Sequence, residues 1–469
     1  MIQHLLPSGL AAPYLVSEWI IRIVMLFFVP TRRTPQAAQA WLLLIFFLPI
    51  PGAILYAAIG RPRFPGWRTE RFHRLAPFFS EVASRLRAAG AAAEGDEAAA
   101  LAGRLGALAA TQGNAIEFLA DYDETIARIV EDVDAAQESI RILIYIFADD
   151  ETGQQVIDAL CRAAARGVAC HVLIDAFGSH RWSRHVLKKL NEGGVEARKA
   201  LPFRLVHRRT RNDMRNHRKL VVIDGRIGYA GSQNIVDKSF RPGIVNRELV
   251  ARLTGPIVAE MDAVIVGDWY LETEQMLPTA PVPAPAGEAL LQLLPSGADY
   301  PLEGFETLLV WQLHRAERRV IVTTPYFVPD QDVLGAMRTA VARGIEVDLV
   351  VSKIADQKLV SLAQHSYFVD LLHAGVTIWR FPDFLLHAKH VSIDGKLAIL
   401  GSSNVDLRSF QLNDEVSLLL FDAESIGRLE AIQRASIEQS DRLTPEQWQT
   451  RSRIQKLLEG IARLVSPLL

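Results

Sequence analysis

The chain opens on two apolar runs, Leu10 to Val29 and Trp41 to Ile59. Each is close to the ~20 residues that a helix needs to cross a bilayer. In the first run Glu18 and Arg22 stand four apart, so on a helix they share a face and pair. The second run is interrupted by Pro49, Pro51 and Gly52, which predicts a kink or a re-entrant turn. The start carries no basic stretch, so the pattern reads as an embedded hairpin rather than a cleaved signal peptide. Arg32 and Arg33 lie in the connection, while Arg61, Arg63, Arg68, Arg71 and Arg74 follow the second run. The larger positive count predicts a multi-pass inner-membrane protein whose remaining chain faces the cytoplasm.

From Val82 to Gly113 the chain is rich in Ala and Gly with scattered charges, which predicts one or two exposed helices or a linker. Beyond Asn114 the apolar period alternates between strand and helix. Ile140 to Phe147 reads as a buried strand, Thr152 to Arg166 as a helix and Val168 to Ala176 as a strand. The same order returns at Val320 to Tyr326, Gln331 to Arg343 and Ile345 to Ser352. Ala165-Arg166-Gly167 and Ala342-Arg343-Gly344 end the two helices alike. The fold class expected is α/β: two homologous halves with helices flanking mainly parallel sheets, after an N-terminal membrane hairpin. The divisions are 1–62 for the hairpin, 63–113 for a basic flank and linker, 114–280 and 281–440 for the halves, and 441–469 for a C-terminal amphipathic helix. Within that last part Trp448, Ile454, Leu457, Leu458, Ile461, Leu464 and Val465 recur at helical spacing. Packing on the core and lying on a membrane surface are both open to such a helix.

The repeat carries chemistry. The first copy holds His217, Lys219, Asp224, Gly231, Ser232 and Asn234; the second holds His387, Lys389, Asp394, Gly401, Ser402 and Asn404. Every position is offset by 170 residues. An Asn-x-Glu trails each copy, as Asn246 and Glu248, then Asn413 and Glu415. Each His-x-Lys opens a β-branched run, so it is expected on a strand, where His and Lys share one face. Asp224 and Asp394 have the opposite parity and precede Gly, which predicts a turn and support role. The returning strand delivers Gly-Ser-x-Asn near the His-x-Lys end, with hydroxyl and amide donors for a ligand.

Two His, two Lys and two Asn at one point describe a phosphodiester site. Lys219, Lys389, Asn234 and Asn404 neutralise phosphoryl oxygens as charge builds. One imidazole attacks phosphorus and the other protonates the leaving alkoxide. Glu248 and Glu415 are the candidates for orienting the imidazoles. Ordinary strand histidines would not recur in register with five other residues.

The duplicated H-x-K-x4-D-x6-G-S-x-N motif resembles the phospholipase D superfamily. Trp41-Leu-Leu-Leu, Pro51-Gly52, Tyr56, Gly60-Arg61, Thr324-Pro-Tyr-Phe-Val-Pro, Gly401 to Phe410 and the terminal Ser466-Pro-Leu-Leu are similar to its bacterial cardiolipin synthase branch, so the resemblance covers nearly the whole chain. It implies phosphatidyl transfer between two phosphatidylglycerols, with His217 as nucleophile and His387 as acid. The same site with water as acceptor would be a hydrolase. It implies no cofactor, and no carboxylate cluster for a metal stands out.

Composition narrows the partners. Hydrophobic residues make up 49% and the net charge is −2, so the chain as a whole is no nucleic-acid binder by charge. Arg204, His207, Arg208, Arg209, Arg211, Arg215, Arg218 and Lys219 nevertheless crowd the approach to His217. They form either an electropositive mouth for phosphatidylglycerol and other anionic phospholipids of the membrane, or a solvated loop. Trp182, Phe203, Phe384, Leu385 and Leu386 are apolar neighbours for acyl chains or for the core. Cys161 and Cys170 read as two apolar thiols.

Overall fold

The computed structural model describes residues 11–60, 63–203 and 213–466. Leu10, Arg61, Arg204, His207, Arg208, Arg209, Arg211 and the final Pro-Leu-Leu lie outside the described residues.

Three helices open it: α1 (Ala11–Phe28), α2 (Pro35–Phe47) and α3 (Pro49–Ile59). Pro49 has no N–H to give and restricts Leu48 before it, so α2 ends there and a new helix begins. This break divides the second expected span, and among the described residues no helix is long and apolar enough to cross a membrane. Val29, Ala38, Trp41, Ile45 and Tyr56 give the three helices a small core of their own. The expected pair forms, Arg22 lying 3.4 Å from Glu18, and Arg22 also donates to the Phe46 carbonyl. Outward, Val16, Trp19, Ile20, Ile23, Phe27, Phe47 and Ile54 are exposed.

Next come α4 (Gly66–His73), α5 (Ala76–Ala88) and α6 (Glu97–Gly106). The Ala-rich stretch is not an exposed linker. Val82 and Leu86 join the central core, and Ala98, Ala102 and Leu105 join that of the second half. Small side chains let α6 approach closely, and Asp96 caps its first amides. Arg68 and Arg71 are buried as well, so two arginines that carried the expected orientation are not surface charge.

The first half runs β1 (Thr111–Leu119), α7 (Tyr122–Ala135), β2 (Ser139–Ile144), α8 (Glu151–Ala165), β3 (Ala169–Asp175), α9 (Ser183–Glu192), β4 (Glu196–Ala200), β5 (Arg215–Asn216), β6 (Leu220–Ile223), β7 (Ile227–Gly231), β8 (Asn246–Arg247), β9 (Val250–Thr254) and α10 (Ile257–Thr273). The second runs β10 (Ala289–Ser296), α11 (Gly304–Arg315), β11 (Arg319–Thr323), β12 (Phe327–Val328), α12 (Gln331–Ala342), β13 (Glu346–Ser352), α13 (Lys358–Ala374), β14 (Thr377–Phe381), β15 (Leu385–Leu386), β16 (His390–Ile393), β17 (Leu397–Gly401), β18 (Val405–Asp406), α14 (Leu407–Gln411), β19 (Asn413–Leu420) and α15 (Ala423–Glu438). The chain closes with β20 (Asp441–Leu443), α16 (Pro445–Gln449) and α17 (Arg453–Val465).

Both halves contribute to one sheet, ordered β20-β14-β13-β11-β16-β17-β19-β10-β1-β9-β7-β6-β2-β3-β4, with β5 beside β19. The strand–helix–strand units are parallel: β2, β3 and β4 in one half, β11, β13 and β14 in the other. Between these flanks the described strands of the sheet pair antiparallel, apart from short β5, which lies parallel to β19. The motif itself causes the departure from a mainly parallel sheet. Asp224-Gly225 and Asp394-Gly395 all take positive φ and fold each motif into a hairpin. The halves meet where β1 runs antiparallel to β10. Beneath them α10 is buried almost throughout, its Met261, Val264 and Trp269 packed with Leu291, Leu293, Leu418 and Leu420. Cys170 is buried, Cys161 partly so, and both thiols are free.

Candidate active site

The histidines are set by exchanged strands. β5, just before His217, lies parallel to the start of β19 in the other half. β15, just before His387, lies parallel to β8. The His217 amide donates to the Asp414 carbonyl and the His387 amide to that of Arg247, both at 2.8 Å. Each His therefore sits beside the Asn-x-Glu of the opposite half. Nδ1 of His217 is 3.0 Å from Glu415, and Nδ1 of His387 is 2.7 Å from Glu248. The pairing of imidazole with glutamate is thus crosswise between the halves.

A neutral imidazole that gives Nδ1–H to a carboxylate keeps its lone pair on Nε2. Burial holds both rings in that form. It lowers His217 and brings His387 down to about 4, against the pull of the glutamates. Both glutamates are held below their ordinary range despite burial, because the imidazole N–H beside each one and the nearby lysine charges outweigh it. Lys219 and Lys389 donate to the carbonyls of His217 and His387, at 2.7 and 2.5 Å. Desolvation brings them down to about 7 and about 8. Two cations held at the edge of losing their protons suit a site that receives a phosphate anion.

The serines are placed differently from the expected substrate contacts. Ser402 is fully buried, gives its hydroxyl to Glu415 at 2.5 Å and accepts from the Val416 amide. Ser232 is bound to the Leu249 backbone in the same way. Both hold the strand that carries the glutamate. Asn246 and Asn413 lean on Glu248 and Glu415 at 3.5 and 3.2 Å. Asn234 accepts from the Ile146 amide, and it lines a small pocket with Lys219. Asn404 is buried, and its amide oxygen has no hydrogen-bond partner. Asp224 accepts from the amides of Gln137, Glu138 and Ser139; Asp394 accepts from those of Glu317, Arg318 and Arg319. Both are turn and support residues, remote in role from the imidazoles.

Other neighbours went unread in the sequence. The rings of Tyr145 and Tyr326 stand edge-on to His217 and His387, at 4.6 and 6.3 Å. Both end apolar strand runs, where nothing distinguishes them from core. Arg218 points away from the reactive face, as its parity between His217 and Lys219 allows. It donates to Asp268, to the Glu415 carbonyl at 2.9 Å and to the Ser296 carbonyl. Arg68 of α4 reaches the same underside, 2.5 Å from Glu272 and 3.4 Å from Asp414. Burial still pushes Asp414 up to about 7 against both guanidiniums. Of the apolar candidates, Leu385 and Leu386 are core, while Phe203 and Phe384 remain exposed and Trp182 packs beside Tyr145 and Phe240. The one acidic trio among the described residues, Glu306, Asp330 and Asp332, joins α11 to the start of α12 and includes none of these groups.

A family model described as cardiolipin synthase, PLD-like domain, matches residues 129–269 and 309–435; one described as phospholipase D-nuclease N-terminal matches residues 19–61. Cardiolipin synthase A of Pectobacterium carotovorum is 34% identical, covering 97% of this chain and 96% of its own. That of Citrobacter koseri is 33% identical over 97% and 99%. A phosphatidylserine synthase structure from Haemophilus influenzae shares the fold, with TM-score 0.56 at 17% identity over 76% of this chain and 95% of that one. Both histidine motifs fall inside the matched spans, and with a third of its residues shared along nearly its full length, the chain belongs to the phospholipase D-like cardiolipin synthase family.

Proposed function

We propose that the protein is a membrane-associated phosphatidyltransferase that joins two phosphatidylglycerols into cardiolipin and releases glycerol. The crossed His–Glu pairs carry this reading: each glutamate holds an Nδ1 from behind and leaves that ring's Nε2 for the phosphorus. Nε2 of His217 attacks the phosphorus of the first lipid. The glycerol oxygen leaves with a proton from His387, and a phosphatidyl group rests on His217. His387 then takes the proton of a hydroxyl on the second lipid, and that oxygen displaces His217. His387 must enter protonated although burial brings it down to about 4; the arriving phosphate and Glu248 favour the imidazolium. Lys219, Lys389, Asn234 and Asn404 receive the phosphoryl oxygens. The exposed apolar faces of α1 to α3 supply the membrane attachment.

The test is a rapid quench in alkaline detergent after incubation with phosphorus-labelled phosphatidylglycerol, with half of each sample then treated with acid. Acid-labile, base-stable label on His217 is expected, with glycerol and cardiolipin formed one to one. Label on Ser or Asp would overturn the intermediate. Phosphatidic acid in place of cardiolipin would mark a hydrolase.

A further inference from the structure

A cavity of about 1100 Å³ lies between the N-terminal helices and the catalytic unit. Met25, Phe28 and Ala53 give it an apolar wall. Arg32, Arg33 and Arg63 stand around it, and no acidic side chain lines it among the described residues. The Arg32 guanidinium is laid over the Phe28 ring at 3.5 Å, which fixes a cation at the apolar boundary. Tyr56 also lines the cavity; it is only 3% exposed, and its hydroxyl has no hydrogen-bond partner. A buried hydroxyl left in that state is costly unless something fills the space beside it.

We propose that this cavity seats an anionic phospholipid of the bilayer, at a site separate from the two histidines. Its cations match a phosphodiester and Tyr56 can donate to an ester or phosphate oxygen. Its apolar wall takes the start of the acyl chains, which continue along the exposed apolar faces of α1 to α3. The volume lies just above the roughly 300–1,000 Å³ that enclose small ligands, enough for a headgroup with its glycerol backbone. A free anion would leave the apolar wall uncovered. The far wall holds Gly66, which begins α4 with Arg68, and Gln411, two residues before Asn413. The bound lipid therefore bridges the N-terminal helices to the elements that carry Arg68 and Glu415. This proposal rests on membrane attachment and is independent of the transfer chemistry.

The experiment uses the full chain in nanodiscs with a phosphatidylglycerol probe carrying a photoreactive acyl chain. A phosphatidylcholine probe is the control, and labelled peptides are mapped by mass spectrometry. Label is expected on peptides with Met25 to Phe28 and Ala53 to Ala58. Arg32→Ala with Arg63→Ala should cut it about 10-fold or more, as the loss of two cations facing an anionic lipid predicts. Both side chains are exposed, so the fold should survive. Tyr56→Phe keeps the ring and should lower the labelling less. Equal labelling by phosphatidylcholine, wild-type labelling of the double variant, or full competition by inorganic phosphate would each overturn the site. Failure of the wild type to bind phosphatidylglycerol vesicles would instead remove membrane attachment, and this proposal with it, while leaving the transfer reaction standing.

Discussion

The segment around His217 and the segment around His387 present like faces and unlike undersides. On the reacting side each His meets a glutamate of the other half, each Lys bonds the carbonyl of its own His, and each Asp ties down a turn. Beneath, the residue between His and Lys is Arg218 in one and Ala388 in the other. The partner strand shows Asp414 under the first and Arg247 under the second. Arg218 and Asp414 join Arg68, Glu272 and Asp268 in a buried charge network. Ala388 packs in the central core, and Arg247 reaches Gln439 at the surface. The proposed reaction asks the same of both faces, because in it two imidazoles share one phosphorus. It asks nothing of the undersides, and there only the first motif is fastened to the N-terminal part of the chain.

Losing either imidazole should have the largest effect and should treat the halves alike. His217→Ala and His387→Ala are each expected to lower kcat by on the order of 10³-fold or more, with little change in the unfolding midpoint. Lipid turnover and calorimetry on the same preparations check this; a variant that kept a tenth of the activity would remove its His from the mechanism.

The undersides should separate next. Arg68→Ala leaves Asp414 and Glu272 buried without it, and about 3–5 kcal/mol of stability should go. Arg247→Ala, at the matching place in the other half, loses a hydrogen bond to Gln439 and the ring faces of Phe381 and Phe384, and should cost about 1–2 kcal/mol. Denaturant titration of the two variants decides; equal losses would erase the asymmetry.

Asp224→Asn and Asp394→Asn should again behave alike. Each removes charge from a carboxylate that accepts three backbone amides, so about 1–3 kcal/mol is expected from each. Activity per folded molecule should fall far less than for the histidine variants. Activity as low as theirs in well-folded protein would contradict the support role.

Titration gives smaller, graded effects. With Lys219 down at about 7 and Lys389 at about 8, kcat/KM should decline on the alkaline side across that interval as the cations discharge. Lys219→Arg stays charged and should carry the limb upward; an unmoved limb would assign it elsewhere. Stability has the opposite sense on the acid side. His387 binds its proton at about 4 when folded and near 6.5 when unfolded, so the unfolded state takes up more protons as pH falls between those values. Its contribution is therefore whole above 6.5 and is lost toward pH 4, and it should vanish in His387→Ala. The smallest effect expected is none: EDTA followed by dialysis should leave turnover unchanged, and a loss restored by Mg²⁺ would reveal a metal requirement.

Much of the site was legible along the chain because it is local. Period-two alternation puts His and Lys on one face, and Asp before Gly makes the turn that brings Ser and Asn back beside them. The Asn-x-Glu segments could be named as orienting groups because a basic nitrogen needs a carboxylate behind it. The serines were misjudged: a hydroxyl next to Gly serves a ligand or a neighbouring strand equally well until the neighbour is known.

What tertiary structure alone decided is non-local. Nothing near His217 says that its partner is Glu415 and not Glu248; the choice follows from β5 lying on β19 and β15 on β8, pairings that cross the two halves. Nor does Arg68 announce that it belongs under Asp414, 346 residues away. In a list of basic residues it counts as membrane flank, and only the packing of α4 on α10 turns it into a buried ion pair. The sequence by itself determined which groups react, since their chemistry and spacing are written into short segments. The three-dimensional chain decided which group serves which, because that depends on how the two halves close on each other around β1 and β10.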